Sequence, residues 1–272
     1  SGTAKAMLGA LFSTVAYARR TAPSPAHIDR LLASHWRRFD AVLDDDEEAF
    51  VDRHGLPAGA AAPPLGHGSS AYGEVTRVGA RQLFAAFGLD SGGRHCSFAD
   101  LGSGTGALVA QAWLELPYLE RSVGVELSPT RHAAATRSWG RLAADDSAAE
   151  LLRRPGEPEF TLGSMLECGL CGLTHVYVAS LCMDDQLLSE LWGRLSAAPE
   201  VECVASLRAF PAPLGRADAS AAPRAVAVET AVVETTWTPE GQAGTPVHLY
   251  RFGGRGREAE AEAEAEAEGS EG

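Results

Sequence analysis

Phe98-Ala99-Asp100-Leu101-Gly102-Ser103-Gly104-Thr105-Gly106 is the stretch on which the fold turns. An apolar run enters a glycine-rich turn, and an amphipathic helix pattern leaves it. Glycine permits a tight backbone turn and lets a ligand approach the main chain with no Cβ in the way. Glu126 closes the next strand pattern 20 residues after Gly106. An acidic side chain at that distance is placed to accept hydrogen bonds from ribose hydroxyls.

The glycines alone fit two cofactors, because Gly102-x-Gly104-x-x-Ala107 also satisfies a looser dinucleotide fingerprint. Asp100 separates the readings. A carboxylate two residues before the first glycine would repel a pyrophosphate, whereas it favours the sulfonium and ammonium groups of S-adenosylmethionine. The expected cofactor is therefore S-adenosyl-L-methionine, and the expected activity methyl transfer. The bland alternative is that Asp100 only caps the turn and Glu126 only solvates a strand end.

Outward from this loop the pattern alternates. Helix is predicted over 75–87, 106–116, 130–154 and 184–195, and strand over 96–101, 122–126, 159–162, 175–180 and 201–207. Repeated βα units predict a mostly parallel sheet with helices on both faces. The runs 225–237 and 247–252 have no helix between them and predict a closing antiparallel hairpin. The fold class expected is α/β, a seven-stranded Rossmann-like sheet of the class I methyltransferase type with an N-terminal helical region. Residues 1–71 read as helices and a Gly/Ala/Pro-rich connector, 72–252 as the cofactor-binding domain, and 253–272 as an acidic low-complexity tail. In the first region Met7, Leu8, Leu11, Phe12, Val15 and Tyr17 recur at near-helical spacing, as do Ile28, Leu31, Leu32, Trp36, Phe39 and Leu43. Ser1-Gly2 stands in place of an initiating Met, so 4–18 is read as part of the fold rather than as a targeting peptide.

Composition narrows the partners. Of 272 residues 45% are hydrophobic, enough for a core, and the formal charge is −13. The 255–272 tail carries two Arg and seven Glu, a net −5, which leaves −8 on the rest. Such a chain is a poor partner for nucleic-acid phosphates and suits a basic protein or a cationic small molecule. No run of 18 apolar residues predicts a membrane span. Lys5 is the sole lysine, and no Gly-Lys-Ser/Thr phosphate loop and no Gly-x-Ser-x-Gly elbow occur. Cys168-Gly-Leu-Cys171 has the spacing of half a zinc site with no second pair, so no metal is expected. The five cysteines read as reduced thiols of an intracellular protein, with nucleus and cytoplasm not distinguished and an organelle also open.

Tyr72-Gly73-Glu74, the Asp100–Gly104 turn, Val123-Gly124-Val125-Glu126, Trp237-Thr238 and Pro246-Val247-His248-Leu249-Tyr250 together resemble the non-SET histone-lysine methyltransferases named for disruption of telomeric silencing. The resemblance covers 72–252. It implies that Tyr72, Glu74 and Thr76 cover the cofactor, that Gly102, Ser103, Gly104 and Gly106 pass beneath it, and that Glu126 holds its ribose. It further places Ser164 and Met165 against the adenine, Ser180 and Leu181 near the methyl group, and Trp237 with Tyr250 along a channel for a target lysine, with Leu249 the alternative to Tyr250. The chain departs from that family in carrying Ser164 where an Asp is usual and Ser180 where an Asn is usual. The Val75–Gly79 stretch also resembles a related group that methylates lysine in mitochondrial membrane proteins. Methyl transfer from a sulfonium needs in-line positioning and a deprotonated amine rather than a general base. Of eight histidines, only His248 adjoins the proposed channel. A small amine or thiol as acceptor, and a catalytically weak cofactor-binding protein, are the competing expectations.

Overall fold

The computed structural model describes residues 24–36, 74–91, 96–211, 226–238 and 241–253. Tyr72, the helix expected from Met7, the connector and the acidic tail lie outside these residues.

Strand β1 (Ser97–Leu101) is buried along its whole length, as a central parallel strand covered on both faces must be. It is flanked by β2 (Arg121–Glu126) and β4 (His175–Val178). With β3 (Glu159–Leu162), β5 (Cys203–Ser206), β6 (Val226–Val233) and β7 (Thr245–Phe252), the sheet runs β3-β2-β1-β4-β5-β7-β6. Strands β1 to β5 are parallel, and β7 is antiparallel to both of its neighbours. This is the expected seven-stranded sheet with a closing hairpin. The chain reverses its direction of winding between β1 and β4, which opens a crevice at their C-terminal ends.

Helices α2 (Arg77–Phe87) and α3 (Ala107–Glu115) cover one face of the sheet through Leu83, Phe84, Phe87, Leu108 and Ala112. Helix α5 (Asp185–Ala197) covers the other through Leu188, Leu191 and Leu195. Helix α1 (Pro25–His35) starts on a Ser24 cap with Pro25 in its first turn. It buries Ile28, Leu31 and Leu32 against α3 and against Trp139 and Leu142 of α4 (Pro129–Ala143). Arg81 joins α1, α2 and α3 by pairing with Asp29 at 2.7 Å and Glu115 at 2.5 Å.

Several element boundaries differ from expectation. The long helix predicted to Arg154 ends at Ala143, because Asp145 accepts from both the amide and the hydroxyl of Ser147 and nucleates a short 3-10 turn instead. Strand β4 stops at Val178, and 180–182 form a 3-10 turn. Helix α2 begins at Arg77, capped by the Thr76 hydroxyl. Its first turn lies so close to the chain after β6 that a Cβ on Gly79 would stand 1.9 Å from the Glu234 carbonyl oxygen.

Candidate cofactor crevice

The glycine turn is folded back onto β2. Gly102 and Ser103 both donate to the Val125 carbonyl, at 2.8 and 3.0 Å. Gly102, Gly104 and Gly106 all take positive φ, at 97°, 55° and 76°, a region costly for side-chain-bearing residues. Gly106 also caps α3 where Phe160 would meet any Cβ, so its role in this structure is one of packing.

Glu126, 6% exposed, sits under this turn. Its Oε2 accepts from Gly104 N–H at 2.7 Å and its Oε1 from Ser128 N–H at 2.8 Å. The carboxylate thus links the glycine turn to the start of α4, and each oxygen keeps a further lone pair. Glu74 approaches from above. Its carboxylate accepts from the Thr105 hydroxyl at 2.7 Å. Its backbone exchanges bonds with Thr236, and Val75 bridges Thr235, so this segment is stitched to the turn carrying Trp237.

Asp100 lies between them, 4% exposed, and its Oδ1 has no hydrogen-bond partner. Burial, with the nearby charges of Glu126 and Glu74, pushes its carboxyl up to about 8. Three carboxylates close to one buried glycine turn form a site that favours a cation. The crevice is lined by Glu74, Asp100, Gly102, Ser103, Gly104, Leu108, Tyr177 and Ala179, with Val75 and Ala107.

Tyr177 was not anticipated from the sequence. It is Asp100's register partner on β4, 2% exposed, and its hydroxyl is also without a partner. Burial and the neighbouring Asp100 hold its proton on. The available signal was a polar aromatic between Val176 and Val178 in β4, at the strand end that meets Asp100.

The other expected residues fall into two groups. Met165 reaches the turn, its Cε 3.7 Å from where a Gly102 Cβ would stand. Arg194 of α5 fixes that loop by donating to the Met165 and Cys168 carbonyls, both at 2.6 Å. Ser164 caps the same loop, accepting from Leu166 N–H at 3.1 Å. Trp237 packs against the apolar cluster on the sheet face that carries Leu108 and Tyr177, but it is not among the residues lining the crevice.

The second group is not brought to the crevice lining. The Thr76 hydroxyl caps α2 and donates to Glu234 Oε1 at 2.6 Å. Ser180 is fully buried, its hydroxyl bonded to that of Ser206 at 2.7 Å while accepting from Arg208 N–H at 2.7 Å. Leu181 is 45% exposed beside it. Tyr250 lies on the opposite face of the sheet, among Trp192, Phe210 and Phe252, and its hydroxyl accepts from Phe210 N–H at 2.9 Å. Strand alternation explains this: 247 and 249 join the crevice-side cluster, and 250 and 252 the other. Leu249 therefore shares the face of Trp237, while His248 stands opposite Ser206 on β5. Among the described residues no cluster of His, Cys, Asp and Glu could hold a metal ion, and no helix is long and apolar enough to cross a membrane.

No protein-family model matches the chain, and no curated protein matches it. Solved structures similar to it include an RNA methyltransferase from Salinibacter ruber in complex with S-adenosyl-L-homocysteine, at 19% identity over 64% of this chain and 88% of that one, with a TM-score of 0.36. A putative RNA methyltransferase from Pyrococcus horikoshii is similar at 18% identity over 65% and 83% of the two chains, with a TM-score of 0.40. A putative tRNA methyltransferase from Streptococcus pneumoniae is similar at 13% identity over 62% and 70%, with a TM-score of 0.38.

Proposed function

We propose that this chain is an S-adenosylmethionine-dependent methyltransferase whose acceptor is an amine on a basic protein, a lysine side chain. The observation that carries the cofactor is the unpartnered, buried Oδ1 of Asp100, held beside Glu126 and Glu74 at the mouth of a glycine turn. A phosphate-bearing dinucleotide would meet three carboxylates there, and a cationic amino-acid sulfonium ligand would be stabilised by them. The residues present therefore fit S-adenosylmethionine.

When bound, that group supplies an activated methyl on a positively charged sulfur. The chain's part is positional. Asp100 and Glu74 supply negative charge at the amino-acid end, Glu126 offers its spare lone pairs to ribose hydroxyls, and Met165 with the positive-φ backbone of Gly102 gives an apolar surface for the adenine. Val75, Leu108 and Ala179 exclude water from the reacting end. An acceptor amine loses its proton before attack, and an apolar approach lowers its pKa from about 10.4 by desolvation. No side chain of the crevice is needed as a base, and the proton leaves to solvent before the amine enters.

The lysine assignment rests on charge and on the apolar flank. The net charge of −13 attracts basic polypeptides and repels nucleic-acid phosphates. Calorimetric titration with S-adenosylmethionine, S-adenosylhomocysteine and NAD tests the cofactor; preference for NAD would overturn it. Transfer of a labelled methyl group to histones, RNA and small amines then tests the acceptor. Label on RNA or on small amines, with none on protein, would overturn the lysine assignment and leave the cofactor assignment standing.

A further inference from the structure

Two residues that line the crevice each bury a polar side-chain atom with nothing to bond. Asp100 Oδ1 and the Tyr177 hydroxyl lie on adjacent parallel strands at paired register positions, and neither has a hydrogen-bond partner. They are therefore not bonded to each other, although their backbones are only about 4.8 Å apart in the sheet. Each unpaired group costs the folded protein free energy, which a native structure accepts where a ligand or an ordered water completes the set. A carboxylate can only accept. A phenol can accept with its lone pairs while its proton turns toward a second acceptor. A primary ammonium, with three donors, can satisfy both acceptors at once, and this acidic setting favours its positive charge.

We infer that Tyr177 is a ligand-selecting residue: its phenol oxygen and Asp100 Oδ1 together clamp the primary ammonium of the bound cofactor's amino-acid portion. This rests on the S-adenosylmethionine reading and deepens it by giving a role to a residue outside the glycine turn. The row formed by Asp100, Tyr177, Ala205 and Leu249 across β1, β4, β5 and β7 is otherwise apolar beyond Tyr177. Selection for the amino group thus ends at Tyr177, and the face turns apolar toward β7.

The test compares two ligands on two proteins. S-adenosylhomocysteine carries the ammonium without the sulfonium charge, and 5′-methylthioadenosine lacks the whole amino-acid portion. Tyr177→Phe removes only the hydroxyl. The expected result by calorimetry is an affinity for S-adenosylhomocysteine about tenfold or more weaker, the loss typical of a hydrogen bond to a charged group, with 5′-methylthioadenosine binding unchanged. Because the lost hydroxyl was unsatisfied, the ligand-free variant should melt no lower than the parent, which shows that the variant folds. Equal affinity of parent and variant for S-adenosylhomocysteine would overturn the proposal, as would equal losses for both ligands. If the parent binds neither ligand, the cofactor reading itself fails, an outcome distinct from either of these.

Discussion

The indole Nε1 of Trp36, just past the end of α1, donates to the Thr105 carbonyl in the glycine turn at 2.8 Å. Thr105 in turn gives its hydroxyl to Glu74. One residue of the turn thus joins the N-terminal helix below to the covering segment above. The N-terminal region is, through this bond, part of the cofactor crevice. Trp36→Phe keeps the packing and removes the donor, so S-adenosylhomocysteine affinity should fall about threefold to tenfold, the worth of one neutral hydrogen bond. Calorimetry checks this, and an unchanged affinity would show that the turn holds its shape without α1.

Asp100 makes the ligand-free protein sensitive to pH in an unusual direction. Its folded value of about 8 stands above the ordinary 3.8. The folded protein therefore holds a proton that the unfolded chain releases between those values. The contribution is fully present below about pH 4, declines as pH rises toward 8, and is flat beyond. Melting curves of the parent and of Asp100→Asn should accordingly separate as pH increases, the variant being the more stable at pH 8. Binding of an adenosyl ligand should show the reverse trend for the parent, weakening about tenfold for each pH unit below 8 as the carboxylate takes up its proton.

Glu126→Gln preserves shape but turns one acceptor oxygen into a donor against a backbone N–H. Either Gly104 or Ser128 then faces an NH2 group. Ligand-free stability should drop by about 1–3 kcal/mol, the cost of a buried donor left unpaired, and the affinity for S-adenosylmethionine should drop with it. Denaturant melts and calorimetry on the same preparation check both; a variant as stable as the parent would contradict the bridging role.

Alanine at position 79 is the clearest test of the packing of α2. Replacing a helix-interior glycine by alanine ordinarily stabilises by about 1 kcal/mol. Here the new Cβ would stand 1.9 Å from the Glu234 carbonyl oxygen. The clash should win, costing about 1–3 kcal/mol as overpacked sites do, and the melting temperature should fall.

Trp237 and Tyr250, paired by the sequence reading, should part company in assays. Trp237→Ala loosens the apolar packing on the crevice-side face and should lower turnover on any acceptor. Tyr250→Phe removes a hydroxyl that accepts from Phe210 N–H on the far face, so it should cost about 1 kcal/mol of stability with turnover unchanged. A methyl-transfer assay beside a thermal melt separates the two; a loss of turnover in Tyr250→Phe matching that of Trp237→Ala would refute the division of faces.

The sheet and its glycine turn were legible because their signals are local. A short buried run, Ser97 to Leu101, broken only by Asp100, and positive φ demanded at three spaced glycines, leave little freedom. Asp100 was legible through its charge, which has no ordinary place in a buried strand. Faces were harder to read. In the closing hairpin a shift of one residue exchanges the two sides of the sheet, and nothing in Pro246–Tyr250 alone says which side the helices leave open. Tyr177 was hidden for a different reason, since its importance arises from a register contact with a residue 77 positions earlier. Ser180 resembled a site residue by its place after β4, yet its hydroxyl is used to tie the ends of β4 and β5 together.

Every buried or paired cation that braces the body is an arginine or a histidine: Arg81 among three helices, Arg121 on Glu159, Arg154 over the Trp113 ring, Arg194 on the Met165 loop. The chain's one lysine, Lys5, lies outside the described residues. An amine-directed reagent, an acetylating enzyme or the protein's own proposed lysine-methylating activity therefore finds no side-chain target on this scaffold. Amine labelling of this 272-residue chain should leave the crevice and its supports chemically untouched.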